Sequence, residues 1–465
     1  MASVKTGVPG RGYGSAYVDA LIWGDKAWDV SKGPITYYFG DPDDYTIAAS
    51  LRGPSVILTD GSTLDPWSGD EKAAVRHALD IYESVCGLTF QEAASVQGAD
   101  IVWWQEFYWY LLGAHETPSA TQVWGAFNYF ADDAWTSRQP GGDGLATIIH
   151  EIGHGLGLAH PHDGGDGPRP TRFPGIAMDD PHEEKGTHDL NQTVYTIMSY
   201  NRGWNQESYT PGYGGQAGLG AFDIAALQAL YGVNSTTRAG NDTYVMPTAN
   251  RTGTGWLCIW DAGGTDTIRA AATTRDLVID LRPATLKDGS PAAGGYISHA
   301  KAVQGGFTIA KGVVIENAVG SGGKDLLIGN GAANRLQGSG GADTLSGGGG
   351  NDQLIGGGGR DTFVFDVRAN TRTNVDAIRD FNVPADRIEL KATAFRGLDR
   401  GALKEGAFLA KSTASAGRDG DDRIVYQSKS GKLYFDTDGV GGAAPVLFAR
   451  LNPGLKLTAA DFFVI

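Results

Sequence analysis

Cysteine is almost absent: Cys86 and Cys258 are the two in a chain of 465 residues. They lie far apart in sequence, so no disulfide framework holds the fold. Each reads as a free, buried small hydrophobe, with a pairing between them the lesser alternative. Basic residues are also short, 38 against 53 acidic ones, and the net charge of −15 argues against a nucleic-acid or anionic-membrane partner. No apolar run reaches the eighteen or so residues of a membrane span. Met1-Ala2-Ser3-Val4-Lys5 lacks the hydrophobic region of a signal peptide. Glycine, by contrast, is abundant: 69 residues, crowded into the C-terminal half.

One eleven-residue stretch, His150 to His160, carries the chemistry. On a helix, His150 and His154 stand one turn apart on one face and reach a single metal. Glu151 points around the helix, which suits a base acting on water at that metal. Gly157 permits a sharp turn that brings His160 back as the third ligand. Three imidazoles with a fourth position left open are the donor set of a catalytic zinc ion.

From Gly320 to Val364 the chain can be written as five nonapeptides. Asp325, Asn334, Asp343, Asp352 and Asp361 hold the sixth positions, and Leu327, Leu336, Leu345, Leu354 and Phe363 the eighth. The period matches the calcium-binding repeat-in-toxin pattern. Glycines allow tight turns, the carboxylates are hard oxygen ligands for calcium, and the apolar eighth residues point inward from short strands. Asn334 departs from the pattern, so the site it joins is expected to be weaker or incomplete. Asp261 and Asp266, in an earlier Gly/Asp turn, are further calcium candidates; solvated turn carboxylates are the alternative.

Elsewhere, Ile35–Phe39, 88–90, Ile101–Trp104 and Val123–Asn128 read as strands, the last as the edge near a cleft. Ser68 and Glu71 have capping-box spacing and open a helix through about Cys86. The zinc helix begins near Leu145, and Ala221 to Gly232 is a closing helix. His162, His182 and His188 read as loop histidines, because the zinc set is already complete.

The zinc motif, Pro161 after it, and Thr196-Ile197-Met198-Ser199-Tyr200 together resemble the serralysin branch of the metzincins. The resemblance runs from about Ile35 to Ile465. It implies an α+β zinc metalloprotease domain, residues 1–240, then an all-β parallel β-roll and β-sandwich domain, residues 241–465, with its repeats at 320–364. It also implies a secreted endopeptidase of broad specificity with one catalytic zinc ion and several structural calcium ions. Glu151 would be the general base, Met198 a floor beneath the histidines, and Tyr200 both an additional zinc ligand and an oxyanion donor. Substrate would pair with the strand holding Trp124, Gly125 and Ala126. The acidic and apolar ending, Asp461-Phe462-Phe463-Val464-Ile465, resembles the signal read by type I secretion systems of Gram-negative bacteria. The partners implied are protein or peptide substrates, that secretion apparatus and a small periplasmic protein inhibitor, with the chain itself a monomer. No propeptide is recognisable, and the cysteines fall outside the family pattern. Because the histidines must be unprotonated, activity is expected to fall below about pH 6. The main alternative is a calcium-dependent adhesive repeat protein with a vestigial zinc site, against which retention of Glu151 argues. A repeat protein acting on polysaccharide is another, but it leaves the zinc motif unexplained.

Overall fold

The chain enters through a hairpin, β1 (Val4–Val8) against β2 (Asp25–Trp28), with a short helix α1 (Ala16–Asp19) between them. In β3 (Ile35–Phe39) every second side chain is buried, as the alternation of its sequence predicts. Helix α2 (Tyr45–Arg52), a short β4 (Leu64–Asp65) and helix α3 (Gly69–Val85) follow. The Ser68 hydroxyl accepts from the Glu71 N–H, and the Glu71 carboxylate accepts from the Ser68 N–H at 2.8 Å, which closes the capping box. Strands β5 (Phe90–Glu92), β6 (Ile101–Glu106), β7 (Gly113–His115) and β8 (Val123–Asn128) complete one sheet in the order β5-β3-β6-β8-β7, with β4 added on β6. This computed structural model describes residues 3–52, 64–107, 112–128, 137–163, 171–177, 182–205 and 210–465.

Strands β3, β5, β6 and β8 run parallel, whereas β7 lies antiparallel on β8. The expectation that 123–128 forms the sheet edge is therefore corrected. All six residues of β8 are buried between β6 and β7, so Trp124, Gly125 and Ala126 are interior and cannot pair with a substrate. The edges among the described strands are β5 and β7, and β7 is the one beside β8.

Helix α4 (Asp143–Gly155) carries the zinc motif and starts two residues before the expected Leu145. It packs on α3, and three buried donors satisfy carbonyls along its last turns: Tyr82 Oη on Ile149 O at 2.6 Å, Trp28 Nε1 on Gly155 O at 2.8 Å and Tyr231 Oη on Leu156 O at 2.6 Å. Helix α5 (Ala221–Tyr231) closes this half.

Beyond it the architecture becomes two ten-stranded sheets, beginning with β9 (Thr243–Met246) and β10 (Trp256–Ile259). Successive nonapeptides alternate between the sheets, so each strand pairs in parallel with the one two repeats along. Leu327 meets Leu345 and Leu345 meets Phe363 in one sheet, and Leu336 meets Leu354 in the other. These eighth-position side chains are all fully buried between the sheets, as the repeat pattern requires. The C-terminal residues 462–464 form a strand inside the first sheet, beside residues 388–390. Cys86 and Cys258 are free and buried, and burial pushes both thiols up to about 12. No described helix is long and apolar enough to cross a membrane.

Candidate metal centre

Helix α4 and the turn after it bring three imidazoles to one point. His150 Nε2 and His160 Nε2 are 3.0 Å apart, and His154 Nε2 and His160 Nε2 3.1 Å. Gly157, at φ +91°, makes the turn that returns His160 to the helix. Every Nδ1 meets an acceptor: Ile197 O at 2.9 Å for His150, Leu158 O at 2.9 Å for His154, and Asp163 Oδ2 at 2.8 Å for His160. The proton of each neutral ring therefore sits on Nδ1, and three bare Nε2 lone pairs face one another. Without a cation they would repel; tetrahedral zinc, with Zn–N of about 2.0–2.1 Å, sets nitrogens about 3.3 Å apart. The residues fit a zinc ion.

Burial disfavours the charged form of two of these rings. His150 is held down to about 3 by burial and then by His160, and burial holds His154 well below its usual value. The acid loss expected near pH 6 does not arise from these two rings. Tyr200 Oη lies 3.0 Å from His160 Nε2, at the same focus, and burial pushes its phenol up to about 12. Met198 is fully buried beneath the motif, and a Cβ placed on Gly153 would stand 2.9 Å from its sulfur. Two loop histidines also pack here, although no ligand role follows from it. His162 stacks on His160 with centroids 4.9 Å apart, and His182 stacks on Tyr200 at 5.1 Å. His188 lies elsewhere, with Nε2 3.0 Å from Gly289 O.

Glu151 is buried beside this cluster, and desolvation pushes it up to about 8. A Cβ placed on Gly113 of β7 would come 2.7 Å from Glu151 Cγ, so this sheet edge passes directly over this carboxylate. Nothing in the sequence marks Gly113-Ala114-His115 as that edge, because the segment is too short to alternate.

The second candidate region follows the repeats. Asp343 Oδ1 accepts from Asp325 N at 2.9 Å, Asp361 Oδ1 from Asp343 N at 3.0 Å, and Asp352 Oδ1 from Asn334 N at 2.8 Å. Two carboxylates outside the repeats extend the ladders: Asp376 Oδ1 accepts from Asp352 N and Asp386 Oδ1 from Asp361 N. An acidic residue just before each apolar strand was the signal that sequence reading could have used for them. The second oxygens of Asp343, Asp352 and Asp361 are buried with no hydrogen-bond partner. Such orphaned carboxylate oxygens fit hard cations.

Two positions differ. Asp325 is satisfied by the N–H groups of Leu277 and Ser321. Asn334 directs its amide at Ile315 O, Glu316 O and Asn330 Oδ1, while its own oxygen accepts from Asn330 N. Three oxygens thus converge on its NH₂ group. Asp261 and Asp266 come together with Asp242, which sequence reasoning had not chosen as a ligand. Asp266 Oδ2 is a further orphaned buried oxygen, and burial pushes this carboxyl up to about 6.

Comparison with known proteins agrees with this geometry. A family model described as "Matrixin" matches residues 60–166, and one described as "Peptidase M10 serralysin C terminal" matches residues 221–399. Metallopeptidase AprA of Pseudomonas marginalis is 32% identical over 433 residues, covering 86% of this chain and 82% of that protein. Serralysin C of Dickeya chrysanthemi is 34% identical over 431 residues, covering 83% and 84%. Metalloprotease AprA of Pseudomonas entomophila is 34% identical over 418 residues, covering 80% and 77%. With a matrixin-like half built around three converging histidines and a repeat-containing half behind it, the chain belongs to the serralysin-type metzincins and is a zinc metalloendopeptidase.

Proposed function

We propose that this endopeptidase cleaves extended protein segments laid along β7, with Glu151 as general base and His150, His154 and His160 as the zinc ligands. The observation that carries this reading is the position of Glu151, buried between the histidine cluster and β7, an edge strand of the sheet whose other edge, β5, lies beyond β8, β6 and β3. Zinc, when bound, supplies the double positive charge that polarises water and the scissile carbonyl. In an antiparallel pair, alternate residues turn both backbone groups outward. Leu112 O accepts from Asn128 N and Glu116 N donates to Trp124 O, so Ala114 pairs inward while Gly113 and His115 face the open edge. A substrate backbone hydrogen-bonded there reads no side chains, which suits broad specificity.

Burial raises the Glu151 carboxyl, and the positive charge of bound zinc would oppose that rise; as a carboxylate it takes a proton from water and passes it to the leaving amine. The Tyr200 phenol stays protonated near neutral pH and can donate a hydrogen bond to the developing oxyanion. Calcium ions held by the Asp343, Asp352 and Asp361 ladders and by the Asp242–Asp261–Asp266 cluster would hold the roll folded. We assign the catalytic half to residues 1–240 and the roll to 241–465. Export through a type I apparatus fits a roll that external calcium stabilises, and a small periplasmic inhibitor would then guard the producing cell.

The test is casein cleavage in calcium by the purified chain and by a Glu151→Ala variant, with zinc content measured on both. Cleavage by the parent and a loss of at least about a hundredfold in a variant that keeps its zinc supports the assignment. Equal cleavage by both would remove Glu151 from the reaction, and cleavage by neither, with zinc held, would favour the adhesive alternative.

A further inference from the structure

Asp223, in the first turn of α5, is fully buried and takes no part in the chemistry described above. Three donors surround it. Its Oδ2 accepts from Ile197 N at 2.7 Å and from Gly220 N at 2.8 Å, and its Oδ1 accepts from the Thr196 hydroxyl at 2.6 Å. Thr196 Oγ1 in turn accepts from Met198 N at 3.2 Å. That N–H belongs to the same peptide group as Ile197 O, which receives the Nδ1 proton of His150 at 2.9 Å.

The direction of every bond in this chain is fixed. A peptide N–H can only donate and a carbonyl can only accept, so the single hydroxyl proton of Thr196 is left for Asp223. The run from ring to carboxylate is therefore His150 Nδ1–H to the Ile197–Met198 peptide, to the Thr196 hydroxyl, to Asp223. Chains aligned in this way polarise one another. Burial opposes the charge and pushes the carboxyl up to about 7, whereas the three hydrogen bonds favour it. The other ligands show simpler arrangements. His160 reaches the Asp163 carboxylate directly, and His154 reaches only the Leu158 carbonyl.

We propose that Asp223 is a positioning residue for the metal centre, acting on His150 through Thr196 and the Ile197–Met198 peptide. The carboxylate fixes the methionine turn and draws on the Nδ1 proton of His150, making the Nε2 lone pair that faces His154 and His160 a stronger donor to zinc. The partners of metal-bound histidines are worth about 10–100-fold in affinity where measured, and a link through one hydroxyl and one peptide belongs toward the lower end of that range.

This inference rests on the zinc assignment, and the test separates the two. Zinc affinity is measured by competition with a chromophoric chelator on the full chain in calcium, for the parent, Thr196→Val, Thr196→Ser and Asp223→Asn. Melting of each zinc-free protein is followed alongside. Thr196→Val keeps the shape but removes the hydroxyl, and it is expected to bind zinc about tenfold more weakly. Thr196→Ser restores the hydroxyl and should bind within about threefold of the parent. Asp223→Asn presents an NH₂ group to the hydroxyl, reverses that one bond, leaves the hydroxyl proton without its acceptor and should weaken binding at least as far as Thr196→Val. Unchanged affinity in Thr196→Val would overturn the proposal. So would an equal loss in Thr196→Ser and Thr196→Val, since only the hydroxyl distinguishes them in this role. Should Thr196→Val fail to fold, Asp223→Asn against Thr196→Ser decides in the same way. A parent that binds no zinc would instead overturn the metal assignment itself.

Discussion

Gly153 and Gly155 lie within the zinc motif at positions that need no donor atom. Their reason is packing. A Cβ on Gly153 would stand 2.9 Å from Met198 Sδ and 3.1 Å from Tyr82 Oη, and one on Gly155 2.3 Å from His115 Cε1. A methionine end can move aside. The His115 ring cannot, because Trp103 Nε1 donates to its Nε2 at 3.1 Å and its Nδ1 sits 2.7 Å from Glu116 O. Gly153→Ala is therefore expected to cost about 1–3 kcal/mol and Gly155→Ala more, read as the order of denaturant midpoints. Equal midpoints would show that the His115 pocket yields as readily as the methionine. The convergence of His150, His154 and His160 was legible in the sequence because their spacing is a property of one helix and one turn. These glycines were not, since the groups that exclude a side chain come from β7, α3 and the methionine turn.

At the scale of elements, the sheet edge and one coil of the roll carry the next two predictions. The apolar run 123–128 is a strand, as its sequence says, but a single run does not tell a central strand from an edge. That depends on the short β7 folding back over it. Gly113 leaves β7 in contact with Glu151. Gly113→Ala, with its Cβ 2.7 Å from Glu151 Cγ and 3.2 Å from Ala126 O, should displace the base. Misplacement on the scale of 1 Å costs about 10²-fold, so kcat for a peptide substrate should fall by that order while zinc content holds. An unchanged kcat would place the base elsewhere. In the roll, the nine-residue period fixed the register, and Asn334 was marked as a departure. What the period could not show is that three oxygens converge on its amide. Asn334→Asp removes the NH₂ donors from Ile315 O, Glu316 O and Asn330 Oδ1 and leaves oxygens facing oxygens. The variant should bind one more calcium ion per chain by equilibrium dialysis and melt lower than the parent without calcium. An unchanged stoichiometry would mean that the backbone at this coil does not fit the ion.

Over the whole molecule, the two halves share a hydrophobic core and a set of backbone hydrogen bonds. Gly214 N donates to Thr254 O, and Gly215 N donates to Gly141 O just before α4. Along β10, Trp256 N donates to Gly215 O and Ala217 N to Trp256 O, and Cys258 N donates to Leu219 O next to the N-terminus of α5. The starts of both helices that shape the metal centre are thus tied to a strand of the roll, and the roll is sensitive to charge. Burial raises the Asp343 carboxyl to about 7, and burial with mutual repulsion raises the Asp352–Asp376 pair. Without calcium, the folded state keeps protons that the unfolded chain, titrating near 4, has already released. The stability these groups contribute is then present below about pH 4 and lost as pH rises through about 7. Calcium-free protein should melt at a higher temperature at pH 5 than at pH 8, whereas calcium, displacing those protons, should bind more tightly at pH 8. The same ties predict how the enzyme fails. With free zinc buffered and free calcium lowered stepwise, loss of the roll's circular dichroism and loss of peptide cleavage should share one midpoint. If cleavage outlasts the roll, the contacts of β10 with residues 215–219 are dispensable, and the catalytic half holds its own metal centre in shape.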